Sequence, residues 1–249
     1  MTQAKPSSHN LFLLGFQSVV FLVFQISTLF IFAPLVLLSF PFPYKIRYSI
    51  ASAWAKLIIK GLKLICNLDF NVTGAENIKD NGIIFCKHQS AWETFALQVM
   101  FPEQCWVLKR ELLWIPLFGW ALALVEPIAI DRSKRSQSFK QIIRQGTERL
   151  KSGRWVVIFP EGTRTAPGER RKYMVGGALL AKKSGFPVTP VAHNAGEFWR
   201  RKAFIKYPGT ISVRIGPSLD SKTMSARELN KAAEEWIEGQ MDELGKTAS

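Results

Sequence analysis

His88 and Glu93 are an imidazole and a carboxylate five residues apart, at the passage from a short apolar run, Ile83-Ile84-Phe85, into a helical pattern over Trp92 to Met100. Five residues turn an ideal helix by about 500°, so the two would not share a face if both were helical. The histidine is therefore expected outside the helix, with the carboxylate reaching back to it. Such a carboxylate fixes one ring nitrogen as a donor and leaves the other as a base. A base held this way lacks only a nucleophile to complete a Ser-His-Asp arrangement, and a substrate hydroxyl can serve. Taken alone, a histidine beside a glutamate is more often a solvated surface pair.

A second stretch repeats the design. The apolar run Val156-Val157-Ile158 leads into Phe159-Pro160-Glu161-Gly162-Thr163-Arg164. Gly162 permits positive φ and close backbone approach, so its turn can offer amide donors to substrate oxygens.

Together these blocks resemble the glycerolipid acyltransferases, most closely the bacterial 1-acyl-sn-glycerol-3-phosphate acyltransferases. That family's first block is His, four residues, then Asp; here it reads His88-Gln-Ser-Ala-Trp-Glu93, with Glu in place of Asp. The third block, Phe159 to Arg164, is intact. Glu126 to Arg132 looks like the second block and Val188 to Asn194 like the fourth, so the likeness covers residues 82–195. It implies transfer of a fatty acyl chain from acyl-CoA or acyl carrier protein to the sn-2 hydroxyl of lysophosphatidic acid, giving phosphatidic acid. The thioester is a co-substrate; no cofactor and no covalent intermediate are implied. The resemblance assigns the base to His88, its orientation to Glu93, placement of the glycerol to Glu161, and the substrate-facing turn to Gly162 and Thr163. Lys109, Arg132 and Arg164 fall to the phosphate. Two alternatives stay open: another lysolipid or an aminolipid as acceptor, or a catalytically silent basic membrane-binding protein. Cys86, two residues before His88, is a rival nucleophile for an acyl-enzyme.

The 249 residues carry a net charge of +14, which favours anionic lipid head groups, phosphorylated substrates and an acidic carrier or coenzyme. No helix-turn-helix, zinc finger or RNA-binding strand pair is present, so nucleic acid is set aside. The three cysteines, Cys66, Cys86 and Cys105, lack paired spacing, and His9, His88 and His193 are scattered; neither a disulfide framework nor a metal site is expected.

From Pro6 to Tyr44 there is no Asp, Glu, Lys or Arg. This apolar stretch is read either as one membrane span of about 20 residues with a short tail, broken or kinked at Pro34, or as a helical hairpin in one leaflet. Lys45, Arg47, Lys56, Lys60 and Lys63 follow it, against Lys5 alone ahead, which places the catalytic part on the cytoplasmic side of a bacterial inner membrane. The chain is divided into a membrane-associated segment, 1–66, and an acyltransferase domain, 67–249. Residues 50–65 read as a basic amphipathic helix lying on lipid, or equally as a helix packed on the core. The uncharged run 112–125 is too short to cross a bilayer and reads as ordinary core, a membrane-dipping surface or an acyl-chain wall. Helices are expected over 133–151, 175–184 and 225–244, the last opened by the capping box Ser225-Ala-Arg-Glu228. Strands are expected at 154–159, 187–192 and 211–215. This alternation makes an α/β domain with a central mixed sheet flanked by helices.

Overall fold

A computed structural model describes residues 10–247; Lys5 and His9 lie outside the described residues. The elements run α1 (Leu11–Leu38), α2 (Tyr44–Cys66), β1 (Leu68–Thr73), β2 (Ile83–Cys86), α3 (Trp92–Met100), β3 (Gln104–Lys109), α4 (Phe118–Leu124) and β4 (Ile128–Ile130). They continue with α5 (Arg135–Lys151), β5 (Trp155–Ile158), α6 (Gly176–Ser184), β6 (Val188–His193), α7 (Ala195–Phe198), β7 (Gly209–Ile215) and α8 (Ala226–Thr247). The strands form one mixed sheet in the order β1-β7-β6-β2-β5-β3-β4. Every pairing is parallel except β6 with β7.

Central parallel strands are covered on both faces, which is why β2 and β5 read as unbroken apolar runs. Ile84 and Cys86 of β2 face a cluster shared with α2 and α3, while Ile83 and Phe85 face α5, α6 and α8. On β7, Ile211, Val213 and Ile215 are buried while the residues between them are half-exposed, as their alternation requires. The capping box forms as expected: Ser225 N donates to Glu228 Oε2 at 2.8 Å and Glu228 N to Ser225 Oγ at 3.3 Å.

At the N-terminus α1 runs unbroken through Pro34 for 28 residues, a length of about 42 Å. By length and composition it could cross a membrane. The helix is nonetheless docked along the domain at both ends. Ser18 Oγ accepts from Lys206 N at 3.0 Å, Phe21 meets the edge of Trp199, Thr28 Oγ1 accepts from Trp54 Nε1, and Ala33 and Val36 pack on Ala121. Its other face exposes Phe12, Phe16, Val19, Val23, Phe30 and Ile31. Helix α2 returns beside α1 and sends Ile58 and Leu62 into the core, with Lys56, Lys60 and Lys63 exposed. Phe21, Ile58, Leu62 and Cys66 join the cluster containing Ile84, Trp92 and Ile211, so segments 1–66 and 67–249 share one core.

The ordinary-core reading of 112–125 does not hold. Pro116 and the positive φ of Leu117 break the run into a short turn and the seven-residue α4. This piece touches α1 and leaves Trp114, Ile115 and Trp120 exposed.

Candidate active site

Sheet register brings the two sequence blocks together. Phe85 pairs with Ile158 and Cys86 with Val191, so the chain leaves β2, β5 and β6 at neighbouring carboxyl ends, where open α/β sheets form their clefts. Thr165 N and Oγ1 donate to His88 O at 2.8 and 3.2 Å, and His88 N donates to Glu161 Oε1 at 3.2 Å. The Phe159 ring stacks on the His88 imidazole at 3.9 Å between centroids.

Helix α3 is capped at Ala91, so His88 stands outside it, as the spacing requires. Glu93, in the first turn, reaches back with its longer side chain to accept from His88 Nδ1 at 2.7 Å. The same carboxylate accepts from Gln89 N at 3.0 Å and from Ser90 N at 2.9 and 3.1 Å. Burial alone would raise its pKa; the His88 hydrogen bond and the backbone amides outweigh burial and hold it below the usual range. With Glu93 on Nδ1, His88 Nε2 carries the lone pair and has no hydrogen-bond partner among the described residues.

Across the first turn, Arg132 Nη1 donates to Gly162 O, joining the second block to the third. Gly162 has φ +69°, and its own N–H donates to Phe159 O. The free donors of the turn are therefore the Thr163 and Arg164 amides, which have no acceptor among the described residues. Arg164 lies on the same turn, half-buried, with Nε unpaired. Lys109 stands apart at the end of β3, half-exposed and paired with Glu111 Oε1 at 3.3 Å.

Comparison with known proteins fits this geometry. The Acyltransferase family model matches residues 69–194. The chain belongs to this family. A 1-acyl-sn-glycerol-3-phosphate acyltransferase of Pseudomonas aeruginosa is 46% identical over 207 residues, 81% of this chain and 80% of that protein. One from Limnanthes douglasii is 30% identical over 75% of this chain and 67% of its own length. The crystal structure of a 1-acyl-sn-glycerophosphate acyltransferase from Thermotoga maritima shares the fold, with a TM-score of 0.76 at 23% identity over 92% of this chain and 95% of that one.

In this acyltransferase the carboxylate of Glu161, which the resemblance assigns to the glycerol, has no hydrogen-bond partner for its Oε2 among the described residues. It is fully buried, 3.5 Å from Lys87 Nζ, and bonded to the His88 amide. Lys87 escaped the sequence reading altogether. Its ammonium is buried and donates to Glu238 Oε1 of α8 at 2.7 Å, and Tyr173 Oη donates to the same oxygen at 3.1 Å. Glu238 also meets Arg170 Nε at 3.9 Å, whereas Glu161 has only its longer contact with Lys87, and burial pushes Glu161 up to about 7.

His193 was also missed as a site residue. Its Nε2 donates to Lys87 O at 2.9 Å and its Nδ1 accepts from Ala195 N, while burial lowers its pKa and keeps it neutral. Its place in the fourth block, next to Asn194, was the available signal. The acyl-enzyme route through Cys86 fails on geometry: the side chain is fully buried in the core, and burial raises its thiol well above the usual range.

Proposed function

We propose that this enzyme transfers a fatty acyl chain from an acyl thioester to the sn-2 hydroxyl of 1-acyl-sn-glycerol-3-phosphate, forming phosphatidic acid. The observation that carries the reading is the 2.7 Å contact between His88 Nδ1 and Glu93, set beside a Gly-Thr-Arg turn with free amides. His88 Nε2 takes the hydroxyl proton as the oxygen attacks the thioester carbonyl, and Glu93 stabilises the imidazolium. The Thr163 and Arg164 amides face the oxyanion. Collapse of the tetrahedral intermediate expels the thiolate, which takes the proton from His88. Acyl-CoA or acyl carrier protein is the donor, and the reaction needs no resident cofactor or metal. Glu161 acts from beneath, holding the His88 amide. Arg164 binds the acceptor phosphate, with Arg132 and Lys109 adding positive charge at its edge.

The enzyme is membrane-associated. We place α1 in the plane of one leaflet, because contacts at Ser18, Phe21, Thr28 and Ala33 tie both halves of the helix to the domain. A helix so docked cannot stand upright in a bilayer without carrying charged protein into hydrocarbon. Trp114 and Trp120 then sit at the lipid–water boundary. The basic residues of α2 favour the cytoplasmic leaflet of the inner membrane.

The test is acyl transfer in anionic bilayers with several lysolipids and with coenzyme A and carrier-protein donors. Lysophosphatidic acid should be the preferred acceptor, and His88→Ala should lose at least 10²-fold in kcat. Wild type no faster than His88→Ala would end the catalytic reading.

A further inference from the structure

The basic aromatic segment after the fourth block has no role in the mechanism above, yet it builds the wall of a cleft. This cleft, about 380 Å³, lies between α1 and the segment Trp199–Lys206, and Ala91 and Arg164 also line it. Arg164, Arg200, Arg201, Lys202 and Lys206 line it, and no carboxylate does. Such a concentration of one sign in a concave, partly apolar site focuses field on an anion.

Two details show that the cations are arranged as a site. Arg201 Nη1 donates to Arg164 O at 2.9 Å, tying the segment to the Gly-Thr-Arg turn. Lys206 is only 4% exposed, and its ammonium lies 5.5, 5.0 and 5.1 Å from the rings of Phe21, Trp199 and Phe204. Its one hydrogen bond is to Phe204 O at 2.8 Å, which leaves two N–H groups without a described acceptor. Burial lowers its pKa, the mark of an ammonium without a counter-charge. Backbone contacts hold the residue in place: Lys206 N bonds to Ser18 Oγ and Tyr207 N to Phe198 O.

The ligand that fits carries a phosphate at one end and an apolar chain at the other. Leu22 of α1 lines the cleft and is itself exposed, so the cleft opens onto the apolar face that meets lipid. Ala91, in its lining, is three residues from His88 in the chain.

We propose that this cleft is the phosphate subsite for the acyl acceptor, with Arg201 and Lys206 acting beside Arg164 to select a lysolipid bearing a phosphate monoester. The proposal rests on the acyl-transfer reading above. A phosphate here completes the hydrogen bonding of Lys206 and of Arg164 Nε, and it meets the Arg201 fork. The acyl chain of the acceptor lies along α1.

The test compares wild type, Arg201→Ala and Lys206→Met, full-length in the same bilayers. Acyl transfer is measured to lysophosphatidic acid and to monoacylglycerol, alongside flotation on phosphatidylglycerol vesicles. The KM for lysophosphatidic acid should rise about 10-fold or more in each variant. The KM for the acyl thioester should stay within about twofold, and the preference over monoacylglycerol should narrow by the same factor as the acceptor KM rises. Vesicle binding should not change. If vesicle binding falls while the acceptor KM holds, the cleft takes bulk anionic lipid and the proposal is wrong. If neither quantity moves in Arg201→Ala, whose side chain is exposed and whose folding is not at risk, there is no subsite. Should wild type transfer to no lysophosphatidic acid, the acyl-transfer reading fails by itself. Equilibrium binding of lysophosphatidic acid then judges the cleft: weaker binding to Arg201→Ala than to wild type keeps it, and equal binding removes it.

Discussion

Glu93 and Glu161 flank the same histidine, and both are buried, yet they titrate in opposite directions. Glu93 accepts one imidazole and two backbone N–H donors over four contacts, and its pKa falls below the usual range despite burial. Glu161 accepts a single amide from His88 and has only a share in Lys87, whose closer partner is Glu238; burial wins and its pKa rises to about 7. The number of donors, rather than depth, decides which buried carboxylate stays charged. The consequence for chemistry is a division of labour. Glu93 is a permanent counter-charge for an imidazolium, and Glu161 is a positioning group that exchanges a proton near neutrality.

The sharpest way to break this contrast is Glu93→Gln. Its amide cannot neutralise the imidazolium, and its NH2 faces N–H donors, so kcat should fall about 10³–10⁴-fold. Retention of activity within threefold would show that the pair is structural. Lys87→Met comes next. It removes the buried cation between Glu161 and Glu238 and leaves Glu161 without a counter-charge, which should cost about 3–5 kcal/mol in denaturant unfolding and push Glu161 still higher. A loss below about 1 kcal/mol would mean that the carboxylates relax by taking up protons.

Glu161→Gln sharpens the contrast through pH. The folded pKa of Glu161, about 7, lies above the ordinary 4.5, so the folded state holds its proton more tightly than the unfolded chain. Its contribution to stability is fully present below pH 4.5 and is lost as pH rises through 7, on the order of 2–3 kcal/mol. Unfolding measured from pH 4 to 8 should show this loss in wild type and its absence in Glu161→Gln. Equal slopes would place the titration elsewhere. The smallest effect expected is that of Glu93→Asp, about a 10-fold loss of kcat, because the carboxylate retracts by one methylene from Nδ1 and from the Gln89 and Ser90 amides. A faster Glu93→Asp enzyme would show that the site is not adapted to glutamate.

Much of the frame was legible in the chain. The run Ile83 to Phe85 became β2, Trp92 to Met100 became α3 with the expected ends, and Ser225 to Glu228 capped α8. The strands β1, β3 and β4 were not delimited. β1 is mostly half-exposed, β3 loses its alternation at an edge pairing, and β4 has three residues. The run 112–125 misled because its composition is that of a core, while Pro116 and Leu117 break it so that only Gly119, Ala121 and Val125 are buried.

By itself the sequence determined that His88 stands outside its helix with Glu93 able to reach back, because five residues between a strand and a helical turn leave little other geometry. It also determined the sharp turn at Gly162 and the apolarity of α1. Only the tertiary structure decided what lies under the histidine and beside Arg164. Lys87 and Glu238 are 151 positions apart, and Ser18 and Lys206 are 188 apart. No local periodicity records such pairs. They exist because the sheet order sets β2 between β5 and β6, lays α8 across one face and α1 across the other, and so closes charges from distant parts of the chain around a single loop.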